Sequence, residues 1–387
     1  MHVGLDLLFL IPGETGGRET YARELIAAMC ARAPTVAFTA FINRDVDAGF
    51  AGELGQSLHV RRLPVSARRP EQWGLGELAL LPVAGRRAGV DVMHSLANFG
   101  PASGPFARVL TIHDLQYRAV PELLSRARRI GTAAQLSLAV RQADRIIAVS
   151  GFARDELVRA VPSSAQRITV IPNGLGTPPA AGASEHRLRA RFALGARQVC
   201  LSVATNLPHK NLPLLLTALA RIPQDQRPLL VLAGLGTNDP ELRHLARSNG
   251  VEEDARLLGY QDNEVVEGLY QLASCLALPS RYEGFGLTAL EAMARGVPVA
   301  CSDLPALREV TGAASLRFSP SSPTEAADAI RRLTEDRALA QRLAEAGRAQ
   351  VAQFSWAAAA RSTLSCYANV SARRTDTEPP GSGIGKT

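Results

Sequence analysis

Two glutamates stand eight residues apart in PSRYEGFGLTALEAMARGVPVACS (279–302): Glu283 in a loop carrying Gly284, Phe285 and Gly286, and Glu291 in the helix that follows. At 3.6 residues per turn the spacing is about two helical turns. One carboxylate therefore lies at the mouth of the loop and one deeper, placed to bind two different hydroxyl-bearing parts of a single ligand. Gly284 and Gly286 let backbone N–H groups approach that ligand at the positive end of the helix. A second element is TNLPHKNL (205–212). All but two of the 43 Lys and Arg residues are arginine, the exceptions being Lys210 and Lys386. An ammonium is a compact point charge with three donors, whereas guanidinium is a planar fork. A lysine in so arginine-rich a chain suits a tight pocket around a diphosphate, at the carboxyl edge of a sheet.

Other motifs carry less. In GETGGRETYARELIAAM, Gly13, Gly16 and Gly17 separate a strand from a helix with apolar residues at Tyr21, Leu25, Ala28 and Met29. Backbone N–H groups at such a turn hold an anion, or the glycines serve the turn alone. Asp45-Val46-Asp47 has the form of a metal-holding pair but no third ligand nearby, and reads as a solvated turn. The terminal GSGIGKT has Pro380 where a phosphate loop needs its first glycine. Neither GETGGRE nor GLGTNDP (234–240) has the glycine order of a dinucleotide-dependent oxidoreductase.

The elements that must position these residues alternate throughout. Runs such as VGLDLLFLI (3–11), RVLTIHD (108–114), QVCLSVAT (198–205) and CLALPS (275–280) lack polar alternation and are followed by helical patterns, which predicts parallel α/β sheets covered on both faces. GTPPAAGAS (176–184) reads as a linker. We expect two Rossmann-like parallel-sheet domains facing a central cleft, at 1–178 and 186–349, a final helix over 350–370 packing back on the first domain, and a disordered tail at 371–387. The length of 387 residues and 46% hydrophobic content support two cores. Five widely spaced cysteines imply reduced thiols, with neither disulfide framework nor zinc spacing. A net charge of +7 without aromatic-interleaved basic stripes argues against nucleic acid. No signal peptide and no run near ~20 apolar residues is visible, which implies a cytoplasmic protein.

In these motifs the sequence resembles the retaining glycosyltransferases of family 4, the group 1 transferases with the GT-B fold, over nearly the whole chain. EGFGLTALE matches the family's E-x7-E motif, NLPHKNL its diphosphate-binding element, and TIHDL (111–115), VSGFARDEL (149–157) and IPNGL (171–175) also fit. The resemblance implies transfer of a hexosyl group from a GDP- or UDP-linked sugar to a hydroxyl of a saccharide, lipid-linked or small natural-product acceptor. It implies Glu291 on the ribose hydroxyls and Glu283 on the transferred sugar. It places Lys210, with His209 beside it and the backbone of Gly284, Phe285, Gly286 and Leu287, on the diphosphate. It puts His113 near the anomeric carbon, aiding catalysis or holding the sugar's O6, Gly16 and Gly17 beside diphosphate and acceptor, Asp114 at the acceptor, and Tyr260 at the base. TIHDL followed by Pro121-Glu122 is common among mannosyl- and related transferases. His209 stands where the family carries arginine, and Ala204 where some members carry another, so either Arg281 or Arg18 compensates or Lys210 bears more of the charge. Retention implies that a phosphate oxygen takes the acceptor's proton, with no protein base and no metal or other cofactor required. Rival readings are a same-fold epimerase or phosphorylase, and a non-catalytic sugar-nucleotide-binding or membrane-docking protein whose basic runs 61–69 and 125–129 meet anionic lipid.

Overall fold

Strands such as HVGLDL (β1, His2–Leu7) and LLVLA (β9, Leu229–Ala233) are buried along almost their whole length. Apolar on both faces, they need cover on both sides. The computed structural model describes residues 1–47, 49, 58–176 and 181–375 and contains two sheets of this kind. In the first, β1 is joined by β2 (Ala37–Ile42), β3 (Leu58–Arg62), β4 (Val92–Ser95), β5 (Ala107–Ile112), β6 (Arg145–Ala148) and β7 (Ile168–Val170). Their order is β3-β2-β1-β4-β5-β6-β7, every pair parallel. In the second, β8 (Val199–Val203), β9, β10 (Ala255–Gly259), β11 (Cys275–Leu278), β12 (Val299–Ser302) and β13 (Ser315–Phe318) run β10-β9-β8-β11-β12-β13, again all parallel. Each order reverses direction once, between β1 and β4 and between β8 and β11. Ligands of open α/β sheets bind beyond the carboxyl ends of strands at such a reversal.

The chain divides into two compact units: Met1–Leu115, Arg126–Gly174 and the stretch from Trp356 onward in one, and Gln116–Ser125 with Leu175–Ser355 in the other. In the first unit Leu8, Phe41, Met93 and Phe106 form an apolar cluster under the helix Leu81–Ala88. In the second, Leu215, Leu216 and Leu219 of the helix Pro213–Ala220 meet Leu230, Leu232, Ile330 and Leu333. Among the described residues no helix is long and apolar enough to cross a membrane.

The carboxyl end of the chain differs from expectation. The run expected as one helix over 350–370 is divided between the helices Arg337–Val351 and Trp356–Thr375. The second of these packs on the helix Gly17–Arg32 and on β4, β5 and β6. Residues 371–375, expected in a disordered tail, continue that helix, because Ala and Arg are good helix formers that need no apolar stripe to extend an existing helix. Residues 376–387, and 177–180 of the expected linker, lie outside the described residues.

Candidate active site

In the second unit the loops after β8 and β11 are tied together by backbone bonds and one amide. Pro208–Lys210 forms a tight helical turn ended by Asn211 in the left-handed conformation, φ 56°. Asn211 Nδ2 donates to the carbonyls of Pro279 and Pro320, each at 2.9 Å, and the Arg281 N–H donates to His209 O at 2.7 Å. With the loops so joined, Lys210 Nζ lies 2.7 Å from Glu283 Oε1, which also accepts from Ser280 Oγ at 2.7 Å. The two charged side chains are 24% and 13% exposed. Burial raises the Glu283 carboxyl, but the Lys210 ammonium, its hydrogen bond, Ser280 and His209 outweigh burial and hold it below the ordinary range. Glu283 is thus ionised at neutral pH. Sequence reasoning assigned the lysine and the glutamate to different parts of a ligand and did not foresee that they touch. The ring of buried His209 meets the amide of Gln116, whose Nε2 is 2.7 Å from Nδ1.

Gly286 caps the helix Leu287–Ala294 at φ 115°, a backbone conformation that favours glycine, and a Cβ there would press on Leu307 Cδ2 at 2.7 Å. Phe285 turns its ring inward, edge-on to Phe354 with centroids 5.8 Å apart, which anchors the loop and leaves only its backbone to a ligand. Down the helix, Glu291 Oε2 accepts from Tyr270 Oη at 2.9 Å. Arg295 sits 4.9 Å over the Tyr270 ring and donates to Glu291 O and Glu267 Oε2, both at 2.8 Å. Burial raises the Glu291 carboxyl; Tyr270 and Arg295 offset this only in part, and Glu267 adds to it. Neither Tyr270 nor Arg295 carried a local motif. Tyr260, just past β10, is 63% exposed.

In the first unit, Gly16 caps the helix Gly17–Arg32 at φ 65°, and both Gly16 and Gly17 are exposed. The Gly13 N–H, one of the amides offered to an anion by the sequence, donates to Glu19 Oε2 at 2.8 Å. His113 follows β5 and is buried. Its backbone N–H donates to Asn98 Oδ1 at 2.8 Å, and Asn98 Nδ2 donates to the carbonyl of Asp114 at 2.9 Å. Its Nε2 lies 2.7 Å from Leu96 O, so Nε2 bears the hydrogen and Nδ1 is the acceptor. Burial, with Arg18 adding and Leu96 and Asp114 opposing, lowers His113 to about 4, a neutral ring at working pH.

Asp45 Oδ2 accepts from Ser66 Oγ at 2.6 Å and from Ala67 N at 2.9 Å, and Asp47 Oδ1 accepts from Gly49 N at 2.6 Å. The Asp45 bonds join two loops distant in the chain, and the Asp47 bond closes a local turn.

A buried carboxyl pair was invisible in the sequence. Asp6, on β1, accepts from Ser95 Oγ at 2.9 Å and Leu8 N at 3.1 Å. Glu77 lies on the π-helical turn Gly76–Leu80 and accepts from Trp73 Nε1 at 2.8 Å. Its other oxygen is buried and meets no donor, a setting that, with Asp6 nearby, favours the neutral carboxyl. Burial first, and then Asp6, push Glu77 well above the ordinary range, and burial raises Asp6 as well. A carboxyl raised on folding contributes stability that is complete below the unfolded value and is lost as pH rises through the folded one. Glu77→Gln, a permanently neutral isostere whose amide can donate to Asp6, is therefore expected to leave thermal unfolding near pH ~4.5 almost unchanged and to raise Tm near pH ~8, flattening a slope of about 1.4 kcal/mol per pH unit per proton. Equal Tm differences at both pH values would show that Glu77 is not held neutral in the fold.

The sequence model for Glycosyl transferases group 1 matches residues 186–350, and that for Glycosyltransferase Family 4 matches residues 15–177. O-antigen chain mannosyltransferase B of Escherichia coli is 31% identical over 264 residues, 67% of this chain and 69% of that protein. Glycogen synthase of Mycobacterium tuberculosis is 31% identical over 62% of this chain and 57% of its own length. Alpha-D-kanosaminyltransferase of Streptomyces kanamyceticus is 27% identical over 60% and 62%. The chain thus spans just over two thirds of the first relative and less than two thirds of the other two. Among solved structures, sucrose-phosphate synthase from Thermosynechococcus elongatus has a TM-score of 0.76 at 23% identity, over 96% of this chain and 100% of that one. Anabaena Alr3699/HepE in complex with UDP and glucose has 0.73 at 21%, over 95% and 100%. The structural likenesses establish the GT-B fold alone. Since the two family models cover residues 15–177 and 186–350, and a mannosyltransferase 31% identical aligns over more than two thirds of both chains, the chain belongs to the group 1 glycosyltransferases of family 4.

Proposed function

We propose that this glycosyltransferase moves a hexosyl group from a GDP- or UDP-linked sugar to a hydroxyl of a saccharide, lipid-linked or small natural-product acceptor, with retention of anomeric configuration. One observation carries the reading: an ammonium, a carboxylate and a glycine-capped helix start converge beyond β8 and β11, where the strand order reverses. Breaking the anomeric C–O bond puts negative charge on the departing diphosphate. Lys210 and the N–H groups of Gly286 and Leu287 are aimed at that charge before it forms, the condition under which such donors lower a barrier most. Glu283 holds Lys210 in place and meets hydroxyls of the transferred sugar. Glu291 takes the ribose hydroxyls and Tyr260 the base. The arginine missing at position 209 leaves Lys210 the larger share of the work.

His113, on the first unit, presents an unprotonated Nδ1. A ring with so low a proton affinity is a weak base at neutral pH, which favours holding a sugar hydroxyl over abstracting a proton. The acceptor's proton passes to a phosphate oxygen, and Gly16, Gly17 and Asp114 border the acceptor. Because Lys210 and the helix start already supply the countercharge, the reading has no metal step. Mannosyl and kanosaminyl transfer and glycogen synthesis among the relatives are compatible with a hexosyl donor.

The test is a thermal-shift panel of nucleoside diphosphates, followed by NMR of the product's anomeric configuration with and without EDTA. A ligand at 100 times its Kd stabilises by about 2.7 kcal/mol. GDP or UDP is expected to raise Tm, and EDTA to leave turnover unchanged. No response to any nucleotide, an inverted product, or dependence on added Mn²⁺ would each overturn the corresponding part.

The reading places the enzyme in the cytoplasm, with an anionic bilayer as a partner of the first unit. Leu75, Leu78 and Val83 are exposed on the helical stretch 70–88, rimmed by the exposed Arg69, Arg86 and Arg87. An apolar stripe edged with positive charge suits an anionic lipid surface. The protein is expected to sediment with phosphatidylglycerol vesicles and to lose that binding in Leu78→Asp; equal recovery with neutral vesicles argues against it.

A further inference from the structure

The first unit contains a buried chain of side chains that the mechanism above does not use. It starts at Tyr21 on the helix behind the glycine loop, whose Oη is 2.9 Å from Thr111 Oγ1 on β5. Thr111 Oγ1 is 2.8 Å from Nε2 of His94 on β4. His94 Nδ1 is 2.5 Å from Oη of Tyr367 on the last helix, and Tyr367 Oη is 3.5 Å from Met29 Sδ. Tyr21, Thr111, His94 and Tyr367 are all essentially excluded from solvent.

Counting donors fixes the direction. Each hydroxyl has one hydrogen, and burial, helped by His113, lowers His94 to about 3, so its ring is neutral and bears one. Met29 Sδ can only accept. Tyr367 therefore donates to Met29 and accepts from His94 Nδ1–H. His94 Nε2 then accepts from Thr111, and Thr111 accepts from Tyr21. Thr111, His94 and Tyr367 each donate once and accept once, Tyr21 donates and Met29 accepts, and no hydrogen in the chain lacks an acceptor. In the opposite direction Met29 would receive nothing and the Tyr21 hydrogen would have no acceptor in the chain. Buried networks satisfied in this way hold their members to one arrangement.

The chain ends beside His113. The Tyr21 ring stands edge-on to the His113 ring, centroids 4.7 Å apart at 89°, and Trp356 of the last helix closes on Tyr21 from 5.7 Å. Leu96 and Asn98 hold the imidazole and its backbone, while Tyr21 is the ring that packs against it. We propose that Tyr21, Thr111, His94 and Tyr367 are positioning residues, through which the last helix sets the orientation of His113. This rests on the role assigned to His113 above.

Thr111 supplies the decisive pair of variants. Thr111→Val keeps the shape and breaks the chain in the middle; Thr111→Ser keeps the hydroxyl and loses only a methyl. Tyr367→Phe breaks it at the far end. Turnover is expected to fall about tenfold in Thr111→Val and Tyr367→Phe, with the donor KM within about twofold, and to be largely retained in Thr111→Ser. A packing role would show the reverse ranking of the two Thr111 variants. In the full-length protein labelled at histidine, the His113 ring resonances, assigned by their loss in His113→Asn, are expected to move in Thr111→Val and Tyr367→Phe. Unchanged turnover and unchanged resonances in both would overturn the proposal. If the resonances move but His113→Asn is itself fully active, positioning stands and the role given to His113 falls.

Discussion

Lys210→Ala is expected to lower kcat by about 10²–10³-fold, the loss of one preorganised donor at the charge that develops on the leaving group, about 2.7–4 kcal/mol. The donor KM should change far less, because the interaction strengthens as the diphosphate departs. Lys210→Arg should recover little of the loss. Lys210 Nζ is held 2.7 Å from Glu283, which Ser280 also bonds, and a planar fork cannot put a single point charge where a compact ammonium does. Without Lys210 the Glu283 carboxyl loses the chief influence that depresses it, and burial then raises it against Ser280 and His209 alone. Glu283→Gln in the same background distinguishes lost leaving-group charge from a misplaced glutamate: if the double variant regains activity, the lysine's role is to neutralise its neighbour, and the proposed mechanism fails. Unfolding should stay cooperative in all three variants.

Glu291→Ala has the second large effect, and it falls on binding. A charged hydrogen bond to ribose contributes about 1.5–3 kcal/mol, so the donor KM is expected to rise about 10- to 150-fold. The alanine also leaves the buried Tyr270 hydroxyl without its acceptor, next to an arginine still held by Glu267. Glu291→Gln separates the two consequences, since its amide oxygen still accepts from Tyr270 while the negative charge is gone. An intermediate KM and an unaltered Tm are expected for glutamine. A KM equal to wild type in both variants, measured with the nucleotide that gives the largest thermal shift, would take the ribose contact away from this residue.

What the sequence made legible was local. The Glu283 and Glu291 motif, the lone internal lysine and the glycine at 286 declare themselves because each depends on residue type and short spacing. The two parallel sheets were legible for the same reason, as apolar runs alternating with helices. What escaped depended on contacts across long separations. Asp6 and Glu77 meet through a π-helical turn that no periodicity announces. The Arg295, Tyr270 and Glu267 support of Glu291 comes from two helices with no shared motif. The edge strand Leu58–Arg62 is exposed along nearly its whole length, so its residues carry no apolar signal, and its second half lies in a run read only for its positive charge. Nothing in the sequence around Thr111 or His94 announced that the two bond each other and that His94 meets Tyr367 of the last helix.

The assignment of Gln116–Ser125 to the second unit, and of the stretch from Trp356 to the first, bears on any attempt to take the enzyme apart. A single cut near residue 175 releases two fragments, each missing something: the amino-terminal one lacks the helix that completes its hydrogen-bonded interior, and the carboxyl-terminal one lacks the glutamine that faces His209. Dissection should therefore yield two poorly behaved halves, whereas co-expression of fragments split inside the mid-chain connection has a route to reassembly, since the missing helix is then supplied in trans.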